Sequence, residues 1–331
     1  MKVKSLEEVF NAFDALKVLV IGDVMIDSYV YGKVERISPE APVPVVTVNH
    51  KEKRLGGAAN VALNVQALGA TPLLCSVIGD DADGHVFKQL LQDQKISAEG
   101  IVQSKHRITT EKQRVMSSAH HLLRVDSEVN TPIDHEEETA LMKRITALLP
   151  QVDVVIFEDY DKGSITPSVI QQVVTMADKL DIPTVVDPKK RNFLDYHGVT
   201  LFKPNLKELK EGLKIEFDVK DINQLKDAVA LLKSKINIKN ALITLSERGV
   251  FMACEHEQHH IPAHVRTISD VSGAGDTVIS IAALSMALHL SPKLVAALSN
   301  LGGGLVCEFI GVVPINKESL FDEARKHKLF E

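Results

Sequence analysis

Residues 269–288, SDVSGAGDTVISIAALSMAL, set polar and glycine residues directly against a long apolar stretch. Gly273 and Gly275 let the backbone turn tightly and leave consecutive N–H groups bare. Those amides and the helix start behind them attract an anion. Asp276 falls in the first helical turn, beside whatever anion binds. A carboxylate there can take a proton from an attacking hydroxyl while the amides stabilise charge on a transferring phosphoryl group. It can equally serve as a helix cap, and the local pattern leaves both readings open.

Such a turn has to be carried by strands and helices, and the chain alternates them. Apolar runs at 17–23, 72–80, 153–160, 183–189, 199–205 and 240–246 read as strands, with helix-period segments between them, notably 56–70 and 82–94. This alternation argues for an α/β fold: a central, mostly parallel sheet flanked by helices. Two segments break the pattern. Residues 28–54 read as paired strands whose prolines suit an edge, and residues 109–128 alternate like two strands around a turn. They form either a small sheet over the site, like a lid, or surface decoration. The acids at 134–138 suit a helix start.

The chain has 331 residues, 45% of them hydrophobic, enough for a large core. Its formal charge of −6 lacks the basic footprint of a nucleic-acid binder. Cys75, Cys254 and Cys307 are scattered, with no C-x-x-C pair, which fits reduced thiols. No run has the length or apolarity of a leader or a spanning helix. A soluble cytoplasmic protein with no nucleic-acid or membrane partner is expected. There is no P-loop and no strand-linked dinucleotide fingerprint. The histidines at 256, 259, 260 and 264 read as an exposed polar hairpin rather than a metal site.

The glycine turn resembles the D-x-x-G-A-G-D signature of the ribokinase/PfkB carbohydrate kinases, here Asp270, Val271, Ser272, Gly273, Ala274, Gly275 and Asp276. The other signature of that family, a Gly-Gly pair followed by an Asn, matches Gly56, Gly57 and Asn60. The resemblance covers essentially the whole chain and implies one ribokinase-like kinase domain over 1–331, with lid strands inserted at about 28–54 and 109–128. It also implies that Gly273, Ala274 and Gly275 form the anion hole and Asp276 is the base. Asp27, Gly56, Gly57 and Asn60 would hold the sugar. Asn205 and Glu208 match N-x-x-E and would hold Mg2+ through water, although the same pair is a capping-box signal. Thr244, Ser246, Glu247, Gly249 and Asn300 would line the ATP nucleoside, with Lys189 near its phosphates. The cofactors implied are ATP and Mg2+, and the need for a monovalent cation stays open.

Residues 36–46 (RISPEAPVPVV), joined to GDVMIDSYVYG and GGAANVALN, closely resemble the kinase part of the heptose 7-phosphate kinases. EDYDKG (158–163), residues 187–205 and LLRVDSE (122–128) resemble them too. This likeness implies phosphorylation of the anomeric hydroxyl of D-glycero-β-D-manno-heptose 7-phosphate, on the route to nucleotide-activated heptose for lipopolysaccharide core. Another sugar or nucleoside kinase, or a silent sugar-phosphate sensor on the same fold, is the alternative. A phosphorylated substrate needs a second basic pocket, for which Arg36, Arg114 and Arg124 are the candidates. No H-x-G-H-type transferase signature follows, so the expectation is a kinase alone. A homodimer paired through the lid is expected.

Overall fold

The computed structural model describes residues 4–117 and 120–330. Thirteen strands appear among them: β1 (Lys17–Gly22), β2 (Val24–Ile37), β3 (Pro44–Gly57), β4 (Thr71–Gly79), β5 (Ile101–Ser104), β6 (Glu111–Ser117), β7 (His120–Ser127), β8 (Val154–Glu158), β9 (Thr184–Asp187), β10 (Leu201–Phe202), β11 (Asn240–Thr244), β12 (Val250–Ala253) and β13 (Gln258–Ile261). The helices are α1 (Leu6–Phe13), α2 (Ala58–Ala67), α3 (Ala82–Asp93), α4 (His135–Leu148), α5 (Pro167–Lys179), α6 (Leu206–Leu213), α7 (Ile222–Ile236), α8 (Ala274–Ala287), α9 (Pro292–Val306) and α10 (Lys317–Lys326).

Nine strands form one sheet in the order β13-β12-β11-β10-β9-β8-β1-β4-β5. From β5 to β11 the pairs are parallel, and β12 and β13 close the edge as an antiparallel hairpin. Both faces are covered, so the central strands are apolar on both sides; every residue of β8 is buried. Alternate β1 side chains enter two different cores. Val18 and Val20 pack with α2, α8 and α9, whereas Leu19 and Ile21 pack with α4, α5 and α7. Helix α8 is buried from Asp276 to Ser285, as expected for a helix apolar nearly all round. The acids at 134–138 start α4 through an Asp134–Glu137 capping box. Among the described residues no helix is long and apolar enough to cross a membrane.

The smaller sheet has the order β3-β2-β6-β7, with β2 and β6 parallel. It contains the two segments that broke the alternation, although β2 and β3 run further than 28–54. Residues 118 and 119, between β6 and β7, lie outside the described residues. Only Asp23 separates β1 from β2, so the chain passes from the large sheet to the small one in a single residue. The Asp23 carboxylate accepts from the amides of Tyr160, Lys162 and Ser164, which binds the loop after β8 to this junction. The near half of β2 is buried and its far half, like all of β7, is exposed.

Candidate active site

Strands β1, β8, β9 and β10 end on one side of the large sheet, where open α/β sheets form their ligand crevices. Their ends bring Asp23, Glu158, Tyr160, Asp187, Lys189 and Lys203 together, and α8 begins over them. The turn before α8 is fixed by Asp270. Its Oδ1 accepts from the Ser272 amide (2.9 Å) and hydroxyl (2.8 Å), and its Oδ2 accepts from the Gly311 amide (2.9 Å). Gly273 has φ +79°, a region that L side chains rarely adopt, and as N-cap it supplies no side-chain acceptor. The first-turn amides of α8 are thus uncapped by any side chain. Gly273, Ala274 and Gly275 remain partly open to solvent. A Cβ on Gly275 would sit 3.6 Å from Asp187 Oδ2 and 3.8 Å from Lys203 Nζ.

Asp276 is only 7% exposed. Asn60 Nδ2 donates to its Oδ2 at 2.6 Å, and the Tyr160 hydroxyl donates to its Oδ1 at 3.0 Å. Burial, joined by the charge of Asp187, pushes its pKa up to about 6, while Asn60, Tyr160 and Lys203 pull it down. A carboxyl in that range is matched to accepting a proton near neutral pH. Asn60 Oδ1 and both carboxylate oxygens of Glu158 are buried without a partner among the described residues. Burial, then Asp187 and Asp276, hold Glu158 well above the usual carboxylate range. Lys203 Nζ lies 2.8 Å from Asp187 Oδ2.

Residues 15–316 match the pattern of the pfkB family of carbohydrate kinases. The chain belongs to that family. Among relatives, it is 36% identical to a protein of Syntrophotalea carbinolica named bifunctional protein HldE, over 98% of this chain and 66% of that one. The protein of the same name from Caulobacter sp. strain K31 is 41% identical over 94% of this chain and 63% of its own length. The chain thus spans somewhat less than two thirds of the length of these relatives. Among solved structures, phosphofructokinase-2 from Escherichia coli in complex with potassium superposes with a TM-score of 0.77 at 16% identity, covering 95% of this chain and 98% of that one. A ribokinase from Arabidopsis thaliana complexed with ribose and ATP gives 0.72 at 17%, covering 96% and 99%. At such identities these two support the ribokinase-like fold alone.

Asp27 is 5% exposed on β2, and Arg114 of β6 reaches its Oδ1 at 2.5 Å. A Cβ on Gly56 would lie 2.5 Å from Asp27 Oδ2, so only glycine leaves that oxygen its place. Gly57 ends β3 and passes the chain to α2, which carries Asn60. The three candidate arginines do not converge. Arg114 and Arg124 are cross-strand partners, but Arg124 is exposed and held by Asp126. Arg36 is exposed nine residues beyond Asp27 on β2, a span of about 30 Å. Arg54, which belongs to no motif in the sequence, stacks with Arg114 on the ring of Tyr29, at 4.9 and 5.4 Å.

Asn205 and Glu208 form the capping box of α6, with both bonds at 2.8 Å. Lys189 Nζ donates to Glu208 Oε1 at 2.7 Å. Burial works to lower the Lys189 pKa, but Asp187 and Glu208 outweigh it and hold it above the usual value. Among the described residues no group of three or more His, Cys, Asp or Glu side chains is placed to hold a metal by itself. Magnesium needs fewer, since it keeps waters and takes substrate phosphates. Glu208 oxygens retain lone pairs for such waters. Thr244 bridges to Asn205 at the end of β11. Ser246 and Glu247 are exposed in the turn after it, and Gly249 is buried where β12 begins. Asn300 of α9 donates to Pro262 O at 2.9 Å. His259 and His260 lie on β13, contacting Glu257 and the Arg248 carbonyl.

Proposed function

We propose that this kinase transfers the γ-phosphoryl group of ATP to the anomeric hydroxyl of D-glycero-β-D-manno-heptose 7-phosphate, giving the 1,7-bisphosphate for nucleotide-activated heptose. One observation carries the reaction type: Asp276, raised toward neutrality, stands in the uncapped first turn of α8. The incoming γ-phosphoryl group rests against the first-turn amides. Asp276 takes the proton as the sugar oxygen forms its bond to phosphorus and the bond to ADP breaks. Asp27 and Asn60 orient sugar hydroxyls, and the unpartnered Asn60 Oδ1 is an acceptor suited to one. Arg114, with Arg54 beside it, is the guanidinium best placed to meet the substrate phosphate.

Asn205 and Glu208 would hold waters of Mg2+, which when bound neutralises phosphate charge. Lys189 adds a fixed cation there. Thr244, Ser246, Glu247, Gly249 and Asn300 border the nucleoside. The small sheet acts as a lid that excludes water. Its far end exposes Val34, Ile37, Val43, Val48, Leu123 and Val125, an apolar face suited to pairing two lids in a homodimer. The substrate rests on the likeness in residues 36–46 and on the HldE-named relatives.

ADP release with heptose 7-phosphate, its unphosphorylated analogue, ribose and fructose 1-phosphate tests the assignment. Heptose 7-phosphate gives the highest kcat/KM, and phosphorus NMR finds the new phosphate on the anomeric carbon. Preference for another sugar, or a phosphate on another hydroxyl, overturns it.

A further inference from the structure

We propose that Tyr160 is a positioning residue for the base: its hydroxyl fixes the Asp276 carboxylate and tunes the pH at which that carboxylate can accept a proton. The proposal rests on the reading of Asp276 as base. Tyr160 follows β8, and the loop it starts is closely tied down. Its amide donates to Asp23 Oδ2 at 2.9 Å, and the same carboxylate holds Lys162 and Ser164. The neighbouring Asp159 accepts from the Asp161 amide, Asn192 Nδ2 and the Tyr196 hydroxyl. The phenol is thus presented from a braced backbone, and its oxygen meets Asp276 Oδ1 at 3.0 Å. Asn60 holds the other oxygen, so the two donors fix both the position and the rotation of the carboxylate about its terminal bond.

The chemistry of the pair has a direction. Burial, with the charges of Asp276, Glu158 and Asp187 beyond it, keeps the phenol protonated far above neutral pH, so toward Asp276 it acts as a donor. A donor to the charged form of a carboxylate lowers its pKa. Around Asp276 the other charged groups are Glu158 at the end of β8, Asp187 at the end of β9, and Lys203 after β10. Helix α2 carries no ionisable side chain, and α9 only Lys293, at its exposed start. Burial and the acids push Asp276 up; Asn60, Tyr160 and Lys203 restrain it. Lys189 Nζ also lies 5.3 Å over the Tyr160 ring while bonding Glu208. One side chain therefore joins the base to the lysine that pairs with the capping glutamate.

Tyr160→Phe removes the hydroxyl and keeps the ring. The 13C carboxyl resonance of Asp276, assigned by its loss in Asp276→Asn, is titrated in wild type and variant. Its midpoint rises by about one unit in Tyr160→Phe, and the acid limb of kcat/KM for ADP release moves with it, a roughly tenfold loss below pH 6. An unmoved midpoint overturns the proposal whatever reaction the enzyme performs. A raised midpoint with an unmoved rate profile shows instead that Asp276 is not the base, and removes the catalytic role of Tyr160 with it. If Tyr160→Phe does not fold, 3-fluorotyrosine is incorporated at all four tyrosines. Its more acidic hydroxyl donates more strongly, so the Asp276 midpoint falls; a constant midpoint again overturns the proposal.

Discussion

Lys203 is 2% exposed and Asp187 4%, and their charges meet at 2.8 Å beneath the glycine turn. Lys203→Met deletes the cation and keeps the bulk. At an effective dielectric constant of about 20, two unit charges at that distance attract by roughly 6 kcal/mol. Part of this is offset by the cost of desolvating both, and breaking such a buried pair costs about 3–5 kcal/mol. The variant should lose that much at pH 8 by chemical denaturation, with Tm lower by about 4–7 °C. The loss has a pH signature. Glu158 and Asp276 have raised pKa values, so their folded forms bind protons more tightly than the unfolded chain does. Stability therefore falls as pH rises through the ordinary carboxylate range toward about 6 and beyond. Without Lys203 to offset the cluster this fall steepens, and acidification to pH 5 recovers part of the loss. Asp187→Asn in the Lys203→Met background restores at least half of it by removing the stranded charge. A loss under about 1 kcal/mol, or a double variant no more stable than the single one, would show that the Lys203–Asp187 pair does not carry this stability.

Gly56→Ala drives a methyl group against Asp27 Oδ2; sugar KM should rise about tenfold or more with nucleotide KM unchanged, checked by ADP release at varied sugar concentration. Glu158→Gln removes a buried carboxylate with no partner, so Tm measured without magnesium should rise at pH 8 by about 3 °C, and the gain should vanish near pH 4, where the native carboxyl is protonated.

Much of the fold is legible because its signals are local. The apolar runs of β1, β4, β8 and β11 declare themselves residue by residue, and the Asp134–Glu137 box is written within four positions. The turn at 270–276 is legible for the same reason, since glycines, caps and the following apolar helix adjoin. Asn205 and Glu208 show the limit of such reading, because a spacing that suits magnesium-bound waters also makes the capping box found here. Glu158 and Asp187 carry no local signal; they meet because β8 and β9 are in register at their last residues. Arg114 reaches Asp27 across 87 residues because β2 and β6 pair in parallel. Tyr160 and Lys203 escape notice likewise: a tyrosine after a strand and a lysine before a helix acquire meaning only once α8 is laid over them. Arg36 shows the converse, a residue close in sequence to Asp27 that an extended strand carries far from it.

The most direct test of the account is Asp276→Asn, isosteric and unable to accept the proton. ADP release with heptose 7-phosphate should fall by about 10²–10⁴-fold, with ATP affinity by calorimetry within a few-fold of wild type and Tm at pH 8 no lower. Turnover within a few-fold of wild type would contradict the assignment of Asp276 as the base.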